Sequence, residues 1–258
     1  MSSSSAREKR LRLDRLLVAR GVGGRRDVQR LIRRGYVTMN GVEVRDPNAH
    51  VAKDISLLID GVPCEAMPAL IAYHKPLHQL CTMRDPWGRS GLDHVLPAEW
   101  RESLHPVGRL DAETTGLLLF SSDGQLTQHL LHPKRELPRR YRAVVSFLPH
   151  DLDHKLSNGV DTSSGTFTAT LKHSETYDPS AHQAYLEGHS DLEEIGGVVW
   201  IEVTEGKHRM VRRMLHNAGA SVLALHRECY GSIELKELKV GEYVIIDPEL
   251  IDTLRQNS

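Results

Sequence analysis

Beyond residue 69 the chain carries many short apolar runs and few helical ones, and the two do not alternate. That ordering limits the fold more than any single motif. Residues 69–73 are strand-like and end at His74-Lys75-Pro76; residues 117–121, 141–147, 198–203, 221–226, 232–235 and 243–246 read as further strands. Helices are predicted over residues 126–131 and 210–218, the second ended by Gly219. A doubly wound sheet needs a helix between successive parallel strands. The pattern instead predicts an α+β fold with a largely antiparallel mixed sheet. Residues 177–196 are polar and weakly patterned, and are read as a loop or insertion.

The N-terminal part reads differently. Residues 1–60 hold 13 Lys+Arg against 7 Asp+Glu, and the rest of the chain holds 20 against 27. A basic head on an acidic body points to a polyanionic partner. Residues 13–19 (LDRLLVA) form a short helix ended by Gly21. In the next helix, RRDVQRLIRR, Val28, Leu31 and Ile32 share one side. Arg25, Arg26, Arg30, Arg33 and Arg34 cover much of the remainder, and Gly35 stops it. Asn40-Gly41, between Val37/Met39 and Val42/Val44, marks a type I′ hairpin, and residues 55–59 add a strand. The serine-rich residues 1–10 read as a disordered tail, 11–61 as a helix-helix-hairpin domain, 62–68 (VPCEAMP) as a linker and 69–258 as a larger domain.

Several classes are set aside by composition. No apolar run approaches the roughly 20 residues of a membrane span. The start, MSSSSAREKRLR, lacks the apolar segment of a secretory signal. Cys64, Cys81 and Cys229 are far apart and odd in number, which favours a reducing cytoplasm over a disulfide framework. Among 15 histidines, those nearest the polar segment, His173, His182 and His189, match no zinc spacing. No glycine-rich phosphate loop is present.

One residue resists a bland reading. In GRLDAETTGLLLFSSDG, residues 108–124, Asp111 stands beside Arg109 at the threshold of a buried strand. A carboxylate there is costly unless something holds it. Taken alone it reads as a turn cap or a partner of Arg109.

The stretch is, however, similar to the signature of pseudouridine synthases, in which an aspartate follows Arg-Leu. HKP (74–76), LPRRYRAVV (137–145) and EGKHRMVRRMLHNAGASVLALHRECYGSIEL (205–235) resemble three further regions of that family, in the same order. The subgroup that most resembles the chain acts on small-subunit ribosomal RNA. LRLDRLLVARGVGGRRDVQRLIRRGYVTMNGVEV resembles the alpha-L type RNA-binding domain first recognised in a small-subunit ribosomal protein.

The resemblance implies a job for each residue. Asp111 is the catalytic carboxylate, attacking the ribose C1′ or removing a proton there. Arg212 is the basic residue paired with it, while Arg213, turned about 100° away on the same helix, serves packing or RNA. Tyr141 stacks on the uracil and takes part in proton transfer at C5. Arg109 fills the gap left by a flipped-out base. Arg25, Arg26, Arg30, Arg33 and Arg34 contact phosphates, and Arg12 and Arg15 are weaker candidates. Where the subgroup has His-Gln before the apolar residue that precedes the basic pair, this chain has Arg209-Met210. The implied enzyme is a cytoplasmic RNA isomerase, a monomer without cofactor or metal. Its partner is ribosomal RNA, free or in a partly assembled subunit, with no membrane role. The alternatives are the same reaction on large-subunit ribosomal RNA or tRNA, and a non-catalytic RNA-binding assembly factor. A hydrolase or phosphotransferase with an aspartyl intermediate lacks a second acidic motif.

Overall fold

A computed structural model describes residues 10–52, 55–64, 67–83, 85–186, 189 and 194–256. The tail expected over 1–10 lies outside the described residues except at Arg10. The chain separates into two compact units: Met1–Ala69 with Leu96–His105, and Leu70–Val95 with Pro106–Ser258.

In the first unit, α1 (Leu13–Ala19) and α2 (Arg25–Arg33) precede four short strands: β1 (Val37–Met39), β2 (Val42–Glu43), β3 (Leu57–Ile59) and β4 (Val62–Pro63). These form an antiparallel sheet in the order β2-β1-β3-β4. Leu13, Leu17, Val28, Ile32 and Val37 are fully buried and make the core of this unit. Asn40 and Gly41 have φ of 50° and 81°, as a primed hairpin turn demands. Asp60 and Gly61 repeat that geometry, with φ of 50° and 79°. Val62 and Pro63, expected to begin a linker, are therefore the far arm of a second hairpin, paired with Ile59 and Leu58. Asp14 is a buried carboxylate with partners: Arg12 donates two hydrogen bonds, at 3.0 and 2.8 Å, and Gln29 a third at 2.8 Å. The Arg12 bond outweighs burial and holds the Asp14 carboxyl at about 2.

The second unit is built on one sheet. Its main elements are β5 (Leu70–Lys75), β6 (Thr114–Ser121), α3 (Gly124–Leu131), β7 (Arg139–Val145), α4 (Leu152–Asn158), β8 (Thr170–Thr176), β9 (Gly197–Val203), α5 (Met210–Asn217), β10 (Val222–Tyr230), β11 (Tyr243–Ile245) and α6 (Pro248–Gln256). The strands run in the order β8-β9-β7-β10-β6-β5-β11. Neighbours on this path are antiparallel except β10 and β6, which are parallel, with Leu225, His226 and Arg227 opposite Thr114, Thr115 and Gly116. The expected α+β fold with a largely antiparallel mixed sheet is the observed one. Leu117 through Phe120 are fully buried, as a continuous apolar run inside a sheet requires. Asp123 Oδ1 accepts from the Gln125 and Leu126 amides at 2.9 and 3.2 Å. This cap starts α3 two residues before the apolar pattern does.

Part of the fold escaped the sequence pattern. Residues 179–186 are helical, as Pro179–His182 and the 3₁₀ turn Gln183–Leu186, where a loop was expected; residues 187, 188 and 190–193 of that segment lie outside the described residues. Its anchors form no apolar period: Leu186 packs with Val144, Val198 and Ala224, the Arg142 guanidinium sits 3.5 Å above the Tyr185 ring, and buried His182 hydrogen-bonds Glu175 at 2.9 Å and stacks on Tyr185. One leucine among polar and aromatic contacts leaves no period to read. β8 and α4 are equally quiet. β8 lies at the sheet edge with mostly exposed residues, and α4 buries only Leu152 and Leu156. Among the described residues, no helix is long and apolar enough to cross a membrane.

Candidate active site

The site grows from the start of β6. Gly116 lies where β6 runs closest to β10; it has φ +101°, and a Cβ there would stand 2.3 Å from the Arg227 carbonyl oxygen. Only glycine allows that approach. The tight parallel pairing brings the residues before β6 up to those on β10. Those preceding residues form a turn, closed by the Thr114 amide donating to Asp111 O at 3.0 Å.

Three residues outside the turn hold its backbone. Lys75, fully buried at the end of β5, donates from Nζ to the carbonyls of Ala112 (3.3 Å), Thr114 (2.9 Å) and Pro76 (2.9 Å). The His78 amide donates to Ala112 O at 2.8 Å. Cys81 Sγ accepts the Leu110 amide at 3.2 Å. Burial pushes the Lys75 amine down to about 8, against the opposing pull of Cys81, Asp111 and Glu113. Sequence reading took His74-Lys75-Pro76 only as the end of a strand. The signal it passed over is a lysine at an inward position of an otherwise apolar strand.

A cleft of about 330 Å³ opens above this turn, and Asp111, Tyr141, Arg212 and Arg109 all line it. Tyr141 is buried on β7, between Ile201 of β9 and Arg227 of β10. Arg109 is exposed. Asp111 is half-buried, and its carboxylate forms no ion pair or hydrogen bond among the described residues. The geometry of Arg212 departs from a simple Asp–Arg pair. Its Nη2 donates to the Glu113 carbonyl at 2.7 Å and its Nη1 to Val222 O at 3.5 Å, while Nε is buried without a partner among the described residues. Burial and the neighbouring Arg209 lower the Arg212 pKa, opposed by Glu113 and Asp111. The guanidinium is thus fastened to the backbone of the turn, two residues past the carboxylate, and the carboxylate stays available to a ligand. Arg209, in the position noted above, is ion-paired with Glu113 at 2.9 Å. Burial, the largest single influence, pushes the Glu113 carboxyl up, but Arg209, a backbone hydrogen bond and Arg212 together keep it below its usual range. Arg213 does not line this cleft. It faces a second hollow of about 460 Å³, shared with Arg209, Arg212 and His216, and hydrogen-bonds Ser164 at 2.8 Å.

Two further cations in the cleft wall were not anticipated. Arg139 donates to Thr204 O (2.6 Å) and the Tyr230 hydroxyl (2.9 Å), and Arg227 donates to Leu117 O (2.7 Å). Their guanidinium carbons lie 4.7 and 5.2 Å from the Tyr230 ring centroid. Both are buried, neither has a carboxylate partner among the described residues, and Arg227 Nη2 has no hydrogen-bond partner. Buried cations without counter-ions create a positive potential that favours anions in the cleft. In sequence both arginines fall just outside the predicted strands, 141–147 and 221–226, where nothing marks them as buried.

In the first unit, Arg25, Arg26, Arg30, Arg33 and Arg34 are all exposed along α2 and its end. Arg30 is tied to Asp27 at 2.7 Å, and Arg25 Nε lies 3.6 Å from Asp14. Arg26, Arg33 and Arg34 have no acidic partner among the described residues. Arg12 is engaged with Asp14.

Comparison with known proteins agrees with this geometry. Residues 69–217 match the RNA pseudouridylate synthase family model, and residues 11–54 match that of the S4 domain. The chain is 33% identical over 255 residues to "Ribosomal large subunit pseudouridine synthase B" of Vibrio cholerae, an alignment covering 95% of this chain and 74% of that protein. Its identity to the Bacillus subtilis protein of the same name is 29%, covering 95% of each. A solved structure described as "Crystal structure of pseudouridylate synthase" superposes with a TM-score of 0.59 at 23% identity, over 95% of this chain and 99% of that one, and shows the shared fold. The chain belongs to the RNA pseudouridylate synthase family, and is an RNA-modifying isomerase with an S4 domain ahead of its catalytic fold.

Proposed function

We propose that this synthase converts a uridine of large-subunit ribosomal RNA to pseudouridine in the cytoplasm. The small-subunit preference implied by sequence resemblance gives way to the alternative, because curated relatives aligned over 95% of the chain are named for the large subunit. The observation that carries the mechanism is the shared cleft: a carboxylate without a partner among the described residues, a buried tyrosine and a backbone-anchored arginine line one cavity. An extruded uridine enters there, its uracil against Tyr141. Asp111 reacts at the ribose, the C–N bond breaks, the base turns, and C5 joins C1′ as its proton leaves. Arg212 supplies positive charge beside the carboxylate. Arg109, at the exposed rim, occupies the space the nucleotide vacates, which offsets part of the few kcal/mol of unstacking. The domain with boundaries at 11–61 holds the RNA through Arg25, Arg26, Arg30, Arg33 and Arg34, and Arg213 adds a backbone contact from the catalytic domain at 69–258. A monomer acting without a cofactor suffices for this chemistry.

The direct test is tritium release from ribosomal RNA labelled at uracil C5. Wild type releases tritium; Asp111→Asn binds the RNA and releases none. Substantial turnover by that variant removes Asp111 from the mechanism. Mapping pseudouridines in RNA from cells lacking the protein identifies the subunit, and loss of a small-subunit site alone refutes the large-subunit assignment.

A further inference from the structure

We propose that Trp87 is a stacking platform for an unpaired base of the RNA, close to the target uridine; the proposal rests on the RNA-modifying activity above. Trp87 is 80% exposed, the most exposed large apolar side chain among the described residues. An indole in water is a large apolar surface with nothing against it. Its backbone is held in place. The Asp85 carboxylate accepts from the Trp87 amide at 3.1 Å and the Arg89 amide at 2.8 Å, and pairs with the Arg89 guanidinium at 2.8 Å. With the backbone fixed, only the side-chain torsions of the indole are left to order when a base lands on it.

The loop that carries Trp87 is rooted in the active site. Its two arms are joined by Leu80 N–H to Ser90 O (2.9 Å) and Leu92 N–H to Thr82 O (2.8 Å). Gln79 ties them further, donating to Gly91 O and accepting from the Tyr73 hydroxyl, both at 2.9 Å. Between those ties, Cys81 Sγ holds the Leu110 amide, next to Asp111. Trp87 is three residues from Ser90, so its backbone stays within about 10 Å of the Leu80–Ser90 pair. The base of the loop is tied to the residue before Asp111, so a ribonucleotide chain whose uridine occupies the cleft runs beside the loop. Every base has a π-face, so stacking needs no particular sequence. Arg89 is paired with Asp85 at 2.8 Å, and Trp87 itself carries no charge. That separates Trp87 from the arginines: its loss lowers affinity without changing the salt dependence.

The test uses the full chain and ribosomal RNA transcripts tritiated at uracil C5. Trp87→Ala is expected to weaken RNA binding about tenfold, within the range found when one stacked base loses its platform. The slope of log K against log salt, and kcat at saturating RNA, stay at wild-type values. Trp87→Phe recovers most of the affinity, and quenching of tryptophan emission on RNA binding is reduced in both variants. Unchanged affinity in Trp87→Ala overturns the proposal, as does a flattened salt slope or no recovery with phenylalanine. Tritium release by wild type, read in the same mixtures, reports separately on the synthase reading: its absence sinks that reading, whereas release with unchanged Trp87→Ala affinity sinks only the stacking.

Discussion

Lys75→Met isolates what holds the catalytic turn in place. Methionine keeps the length and apolar stem of the side chain and removes its donors. The buried amine makes three bonds, two of them to the carbonyls of Ala112 and Thr114 on either side of Glu113. A hydrogen bond from a charged donor contributes about 1.5–3 kcal/mol, so the three represent roughly 4–9 kcal/mol before any offset. The offset is desolvation. A pKa lowered from 10.5 to about 8 corresponds to about 3 kcal/mol against the charged amine, which methionine avoids. The expected net destabilisation is therefore about 1–6 kcal/mol, measurable by urea denaturation at pH 7. Turnover should fall more sharply than binding, because the Asp111 turn loses its anchor while the RNA-binding arginines remain. A displacement of about 1 Å costs on the order of a hundredfold in rate, read as kcat for tritium release under conditions where the variant is folded. The pH dependence adds a second check. Between pH 8 and 10.5 the unfolded chain holds a proton on Lys75 that the folded chain has given up, so wild type gains stability as pH rises through that window, on top of a contribution that is constant below about pH 8. The stability gap between wild type and Lys75→Met should widen accordingly. A variant as stable and as fast as wild type, with a gap flat in pH, refutes the anchoring argument.

Gly116→Ala should destabilise by about 3 kcal/mol or more, since it combines a positive φ with a Cβ 2.3 Å from Arg227 O; a melting temperature within a degree or so of wild type counts against the close β6–β10 approach. Asp14→Asn should cost the S4 domain about 1–2 kcal/mol at neutral pH. Because the Asp14 pKa is depressed to about 2, its contribution is complete above pH 3.8 and disappears as pH falls through 2, so wild type and variant should converge in acid melts; parallel acid profiles contradict this. Arg26→Ala with Arg33→Ala should weaken RNA binding and lower the salt slope by about 2, one for each phosphate contact. Arg30→Ala should do less, because Asp27 already holds that guanidinium; an unchanged slope in the double variant removes α2 from the interface.

What could be read from the sequence follows physical range. The Asn40-Gly41 hairpin, the arginine-lined α2 and the buried β6 each depend on residues within one short window, and each was readable there. β6 could be placed because four consecutive apolar residues tolerate no other environment. Asp123, three positions ahead of the α3 apolar pattern, shows the limit of apolar spacing, since a cap contributes a hydrogen bond and no hydrophobic period. The segment at 179–186 and the edge strand β8 bury too little to leave a pattern.

Sequence alone determined the local elements, the basic helix and the aspartate-bearing turn, because turn chemistry and burial are written within a few neighbouring residues. Tertiary structure decided which distant groups meet. Lys75 reaches Thr114 across 39 residues, and Arg212 reaches Glu113 O across 99. Sequence likeness pointed Arg212 at a carboxylate, and the fold fastened it to a carbonyl. Such meetings depend on the register between β5, β6 and β10 and on Gly116 letting two backbones touch. No local window contains a register, so only the assembled sheet could show how the cleft is charged and what keeps its floor in place.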